Sequence, residues 1–260
     1  MRVSAAGLVV LVIGLLAALT SSCGVAPGPR PTTATSATPA AQSVPSDPRV
    51  GAVFLDGGPL HTCSAAVLAP GTGDLILTAA HCLADGVDAT FVAGFDDHAA
   101  DEDVWHIDAV YLDQRWVDSQ DPRADFAIAR VSRDAGGSVR AQAGGGLTLG
   151  QAPIPGTVVT VTGYEMGVGG GPISCTATVA QEKHGFPTLP CTGLVDGMSG
   201  APWIDGSTIT GLVGGLHGGG CDESVSYSPP FDDTVVRLLA RAEAGGPADD
   251  APTAFDDGCS

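Results

Sequence analysis

Positive charge is what this 260-residue chain has least of: 11 Lys+Arg stand against 29 Asp+Glu, lysine is nearly absent, and the formal net charge is -18. A surface of that sign repels phosphate backbones, which excludes a nucleic-acid partner. No CxxC and no paired-histidine spacing occurs, so a structural zinc site is not expected and no metal is assigned. The Gly-rich GVGGGP at 167–172 lacks the strand-to-helix setting of a phosphate cradle, and no cofactor is expected. Long apolar runs are scarce as well. The one present, GLVVLVIGLLAAL from Gly7 to Leu19, has signal-peptide length and is short for a membrane span.

That run follows Arg2 and ends in the small residues Thr20, Ser21 and Ser22. Residues 1–22 therefore read as a signal peptide, and the mature chain as secreted or held at the cell surface. Cys23 comes next. Small residues leading to a cysteine resemble the lipid-attachment site of bacterial lipoproteins, although Thr20 stands where that pattern carries an aliphatic residue. Lipid anchoring to the membrane through Cys23 and ordinary cleavage without lipid are both open. Residues 23–48, rich in Pro, Thr and Ala without apolar periodicity, read as a flexible linker. If Cys23 is set aside, Cys63, Cys82, Cys175, Cys191, Cys221 and Cys259 remain, enough for three bridges in an oxidising compartment. Spacing alone does not set their connectivity.

From residue 49 onward, short alternating segments are broken by Gly, Pro and Asp. VGAVFL, HTCSAAVLA, DLILTAA, ATFVAGF, WHIDAVYL and DFAIARVS form one group; TVVTVTGY, ISCTATVA, APWI and STITGLVGGL form another. Residues 134–146, DAGGSVRAQAGGG, separate them. Such groups suit an all-β fold of two packed antiparallel barrels, about 49–135 and about 147–230, which leaves few open edges. One helix is expected at about 232–244: Asp232 or Asp233 caps it, Val235, Val236, Leu239 and Ala240 make its apolar stripe, and Gly245 ends it. An acidic tail, 245–260, follows and carries Cys259. A tail with a pairable cysteine is expected to be stapled to the body, with Cys221 the leading partner.

The chemistry starts from LILTAAHCL, Leu75–Leu83, which ends an apolar run on His81. That imidazole is a buried bystander, a metal ligand or a general base, and the ligand spacing argues against metal. In DGMSGAP, Asp196–Pro202, Ser199 lies close to Gly197 and Gly200. Glycines there permit a tight turn that exposes the hydroxyl and aims backbone N–H groups at one point, a potential oxyanion hole. A serine hydroxyl is a poor nucleophile until a base takes its proton, and that base needs a third group to fix its tautomer. His81 supplies the base, and Asp125, opening DFAIARVS, supplies the orienting carboxylate. Singly, each has a plainer reading as a core histidine, a loop serine or a turn aspartate; together they make one mechanism.

LTAAHC, DFAIARV and GMSGAP, in the order His, Asp, Ser, resemble the three catalytic motifs of the chymotrypsin/trypsin-like serine proteases. The resemblance spans roughly residues 50–242 and implies two six-stranded barrels with a C-terminal helix. It implies Ser199 as nucleophile, His81 as general base and then acid, and Asp125 as the group that orients His81. The N–H groups of Gly197 and Ser199 would hold the oxyanion, each worth roughly 3–4 kcal/mol of barrier lowering. It also implies a Cys63–Cys82 bridge beside the base, stabilising by about 3 kcal/mol for a loop of that length. The implied activity is endopeptidase cleavage of protein or peptide substrates by a monomer.

Two departures matter. Trypsin-like members have Asp immediately before the nucleophile, paired with a freed N-terminal amine, whereas this chain has Met198. RVGAVF resembles an activation site at Arg49–Val50, but without the acceptor carboxylate the protein is expected to work uncut. Ala201, LPCTGLVDGMSGAP and ISCTATV are closer to the bacterial glutamyl-endopeptidase branch and imply a Cys175–Cys191 bridge. By the same analogy His217, in GLVGGLHGGG, is a candidate for binding acidic side chains, although Leu194 stands where that branch commonly has Thr. A protease-fold binding or adhesion module without activity, and an esterase using the same triad, are the alternatives.

Overall fold

A computed structural model describes residues 37–84, 87–253 and 255–259. The expected signal peptide, Cys23 and the first part of the expected linker lie outside the described residues. Among the described residues, no helix is long and apolar enough to cross a membrane.

The first half of the chain supplies β1 (Gln42–Ser43), β2 (Val50–Leu55), β3 (Leu60–Val67), β4 (Leu75–Thr78), β5 (Ala89–Ala93), β6 (Val104–Leu112) and β7 (Ala127–Ser132). Six of these close into a barrel in the order β3-β2-β5-β6-β7-β4, with β4 pairing back onto β3. Closure leaves no free edge in that ring. β4 is buried along its whole length. The buried cluster around it includes Leu147, Ile209 and Leu212 as well as barrel residues, which is why LILT is a continuous apolar run and not an alternating one.

The second half supplies β8 (Thr148–Leu149), β9 (Val158–Gly163), β10 (Gly167–Val168), β11 (Ile173–Thr178), β12 (Ala180–Lys183), β13 (Phe186–Pro190), β14 (Pro202–Asp205), β15 (Thr208–Leu212) and β16 (Val225–Tyr227). The mostly β architecture is thus the expected one, but the two halves differ in closure. Second-half strands lie in two ladders, β1-β11-β9-β14-β15-β8 and β12-β13-β16, while β10 pairs with β3 of the first barrel. Val161, Cys175, Leu189 and Trp203 share one buried cluster that spans both ladders.

Part of the expected linker belongs to the fold. β1 pairs with β11, Gln42 opposite Ser174 and Ser43 opposite Ile173, and Ala40 bridges Thr192. An edge strand needs only backbone donors and acceptors, so a stretch without apolar periodicity can add to a sheet.

Three α-helices are present among the described residues: α1 (Gln114–Ser119), α2 (Val139–Gln142) and α3 (Asp233–Glu243). Asp113, Ser138 and Asp232 cap them, each side chain accepting from a backbone N–H of the first turn. The buried face of α3 is Val235, Leu238, Leu239 and Ala242, while Val236 is 52% exposed. The expected stripe is therefore corrected by a rotation: 235, 238/239 and 242 follow the helical period, and 236 and 240 fall beside that line. This face joins the first-barrel core. Disulfides join Cys63 to Cys82, Cys175 to Cys191, and Cys221 to Cys259.

Candidate active site

β4 runs apolar to Thr78, and Ala79 leads into a single 3-10 turn, Ala80–Cys82, that carries His81. The Cys63–Cys82 bridge ties this turn to β3. Asp125 follows the turn Pro122–Ala124, where Asp121 accepts from Arg123 N–H, and lies two residues before the strand β7 that pairs with β4. Neighbouring strands of one closed barrel thus bring His81 and Asp125 together. His81 Nδ1 lies 2.8 Å from Asp125 Oδ2, and His81 N–H donates to Asp125 Oδ1 at 3.0 Å. Gly215 N–H donates to Asp125 Oδ2 at 2.7 Å. A carboxylate with 0% exposure is costly to bury without partners, and three N–H groups satisfy this one. Because an ionised carboxylate can only accept, Nδ1 carries the proton and Nε2 is the nitrogen left to act as base.

Ser199 sits on a turn between β13 and β14. Gly197 has φ +93, and a Cβ there would lie 2.1 Å from Met166 N; Gly200 has φ +82, and a Cβ there would lie 2.1 Å from Ser64 O. Both conformation and space demand glycine. Ser64 of β3 clamps this turn: its N–H donates to Ser199 O at 2.8 Å, its hydroxyl donates to Gly197 O at 3.0 Å, and Tyr164 N–H donates to that hydroxyl at 2.9 Å. Among the described residues, the N–H groups of Gly197 and Ser199 have no protein acceptor. Ser199 and His81 line one cavity of about 300 Å³. Met198 is fully buried in the second-half cluster with Val161 and Trp203. The Arg49–Val50 junction is continuous with the fold: Val50 is 1% exposed and its N–H donates to Asp47 O at 2.9 Å.

A second cavity, about 630 Å³, is lined by Ser199 together with Leu194, Val195, Val213, Glu165, Asp196 and Glu223. His217 is exposed, holds left-handed backbone angles (φ +54), and pairs through Nδ1 with Asp257 O at 3.1 Å. It lines the smaller cavity with His81 and Ser199.

A family model described as "Trypsin-like peptidase domain" matches residues 63–214, a span that holds His81, Asp125 and Ser199. The chain belongs to the trypsin-like peptidases. No curated protein sequence matches it significantly. Among solved structures, this trypsin-like chain is similar to the protease Anisep from Arthrobacter nicotinovorans, at 22% identity and a TM-score of 0.67 over 78% of this chain and 99% of that one. It is similar to the thermostable serine protease AL20 from an extremophilic microorganism, at 23% identity and a TM-score of 0.65 over 76% and 98% of the two chains. It is also similar to a Glu endopeptidase, at 16% identity and a TM-score of 0.63 over 79% and 97%. At these identities the likeness is one of fold.

Sequence reasoning missed three groups at this trypsin-like site. Ser64 and the Gly215 N–H act through hydrogen bonds that no motif announces. The third is Phe255, whose ring stacks on His81 with centroids 5.0 Å apart and planes at 18°. The expected bridge of Cys259 to Cys221, the residue directly after GLVGGLHGGG, was the available signal that the tail comes to the cleft.

Proposed function

We propose that the protein is an exported serine endopeptidase that works through Ser199, His81 and Asp125. Ser199 Oγ attacks the scissile carbonyl while His81 Nε2 takes its proton. The tetrahedral oxyanion is held by the N–H groups of Gly197 and Ser199. His81 then protonates the leaving amine, and a water activated by the same imidazole hydrolyses the acyl-enzyme. Asp125 keeps the proton on Nδ1 and stabilises the imidazolium. The observation that carries this reading is a buried, triply bonded Asp125 holding His81 in a cavity shared with Ser199. Three disulfides in one chain support an oxidising, extracytoplasmic setting, with Cys23 as the candidate lipid anchor.

The acidic-substrate preference expected from His217 gains no support from the larger cavity. Glu165, Asp196 and Glu223 in its lining repel a glutamate side chain, and His217 is engaged by Asp257.

A fluorophosphonate probe is expected to label the folded protein, and Ser199→Ala to abolish labelling while lowering kcat on peptides by on the order of 10⁵-fold. On peptides with Glu, Phe or Arg before the scissile bond, Glu is expected to be the slowest. Equal labelling of the Ser199→Ala variant would remove the assignment.

A further inference from the structure

We infer that the C-terminal tail is an intramolecular inhibitor of the cleft, latched by the Cys221–Cys259 disulfide and released when that bridge is reduced; this rests on the serine-peptidase reading above. The tail is anchored on both sides of the site. On one side Asp249 N–H donates to Val110 O at 2.9 Å, and Asp249 Oδ2 accepts from Leu112 N–H at 2.7 Å. On the other, Cys259 is bonded to Cys221, and His217 Nδ1 donates to Asp257 O at 3.1 Å.

Between these anchors Phe255 covers one face of the His81 ring, and on its other flank it meets Trp116 at 5.3 Å. Phe255, Asp256 and Asp257 line the cavity that holds His81 and Ser199, and Asp257 and Cys259 also line the larger cavity beside Ser199. The tail therefore walls off the ground a peptide must occupy to present its carbonyl to Ser199. Tethering keeps such a segment beside the cleft at an effective concentration on the order of millimolar, and its seat is shared among the His81 and Trp116 ring contacts and the His217 hydrogen bond.

Charge makes the latch necessary. Asp256, Asp257 and Asp196 line the same cavity, in a chain whose formal net charge is -18. Like charges lining one cavity favour departure of the tail once the covalent bond is gone.

Exposure makes the latch selective. Cys221 and Cys259 are exposed, whereas Cys63, Cys82, Cys175 and Cys191 are 5%, 3%, 2% and 0% exposed. A small dithiol reaches the exposed bridge first. Its thiolate attacks one sulfur and expels the other as a thiolate, which takes up a proton, and its second sulfur, as thiolate, then resolves the mixed disulfide by expelling the remaining cysteine thiolate, which is protonated in turn. Two electrons and two protons pass to Cys221 and Cys259, which become thiols, and the dithiol leaves as its own disulfide.

The test compares the mature oxidised protein, a Cys221→Ser/Cys259→Ser variant and a Phe255→Ala variant that keeps the bridge. Peptide hydrolysis and fluorophosphonate labelling are read side by side, with Ser199→Ala as control. A tail seated in about 90% of molecules lowers apparent activity about tenfold. Both opened variants are therefore expected to exceed the parent by at least about tenfold in kcat/KM, and mild dithiol is expected to activate the parent but not the Ser/Ser variant. Equal, Ser199-dependent rates and labelling in all three proteins would overturn the tail inference and leave the peptidase reading standing. Absence of labelling in every protein, the folded Phe255→Ala variant included, would overturn the peptidase reading and the inference with it.

Discussion

The two halves of the molecule hold their shares of the site by different means. The first half presents His81 and Asp125 from the ends of paired strands in a closed barrel, and both residues take ordinary negative-φ backbone. The second half presents Ser199 from a turn built on left-handed glycines, Gly197 and Gly200, beside ladders that do not close into one ring. Paired strands fix side chains by register, whereas loops fix backbone N–H groups by conformation. On the mechanism proposed above, the base and its orienter need side-chain placement and the oxyanion site needs backbone donors, so each half suits its task. Ser64 is one tie between them, a barrel residue hydrogen-bonded to the Ser199 turn, and the Gly215 N–H bond to Asp125 is another.

That division is broken most severely by changing the carboxylate. Asp125→Asn puts an amide against His81 and favours the wrong tautomer, and the expected cost is about 10⁴-fold in kcat. Retained fluorescence and an unchanged fold with that loss would locate the effect in the proton path. On the loop side, Gly197→Ala drives a methyl toward Met166 N in a backbone region that disfavours it. Turning that peptide is expected to lower kcat about 10²- to 10³-fold with little change in KM; a KM effect alone would place Gly197 outside transition-state binding. The smallest effect concerns the entry to the barrel. The Arg49 guanidinium, hydrogen-bonded to Asp47 at 2.7 and 3.0 Å, holds that carboxyl below its usual range. A depressed folded-state pKa stabilises above the unfolded value of about 4 and is lost as pH falls through the folded one. Asp47→Asn is therefore expected to cost under about 1 kcal/mol at neutral pH, the pair being partly solvated, and nothing in strong acid. Urea melts at two pH values check it, and a difference that persists in acid would assign the cost to packing.

Periodicity made much of this architecture legible. VGAVFL is β2 with the bounds the pattern suggests, and AAHC, DFA and MSGAP carry residues that the fold draws toward one cleft. β13 was hidden because FPTLP carries two prolines, which argue against a strand within a sheet. The structure accommodates Pro187 opposite a register shift in β12, between Ala180 and Lys183, where no ladder donor is required. α1 and β16 are too short to show a period. β1 was read as linker because its pairing is backbone-only. Phe255 was illegible for another reason: its place over His81 depends on a bridge whose partner spacing does not fix.

The buried thioether of Met198 reaches beyond the active site. The trypsin-like resemblance pairs a carboxylate in that position with a freed N-terminal amine; a buried thioether has no charge with which to bind one. On the reading proposed above, sequence upstream of Val50 can therefore stay attached, as cargo or as a mooring, without being the on-switch.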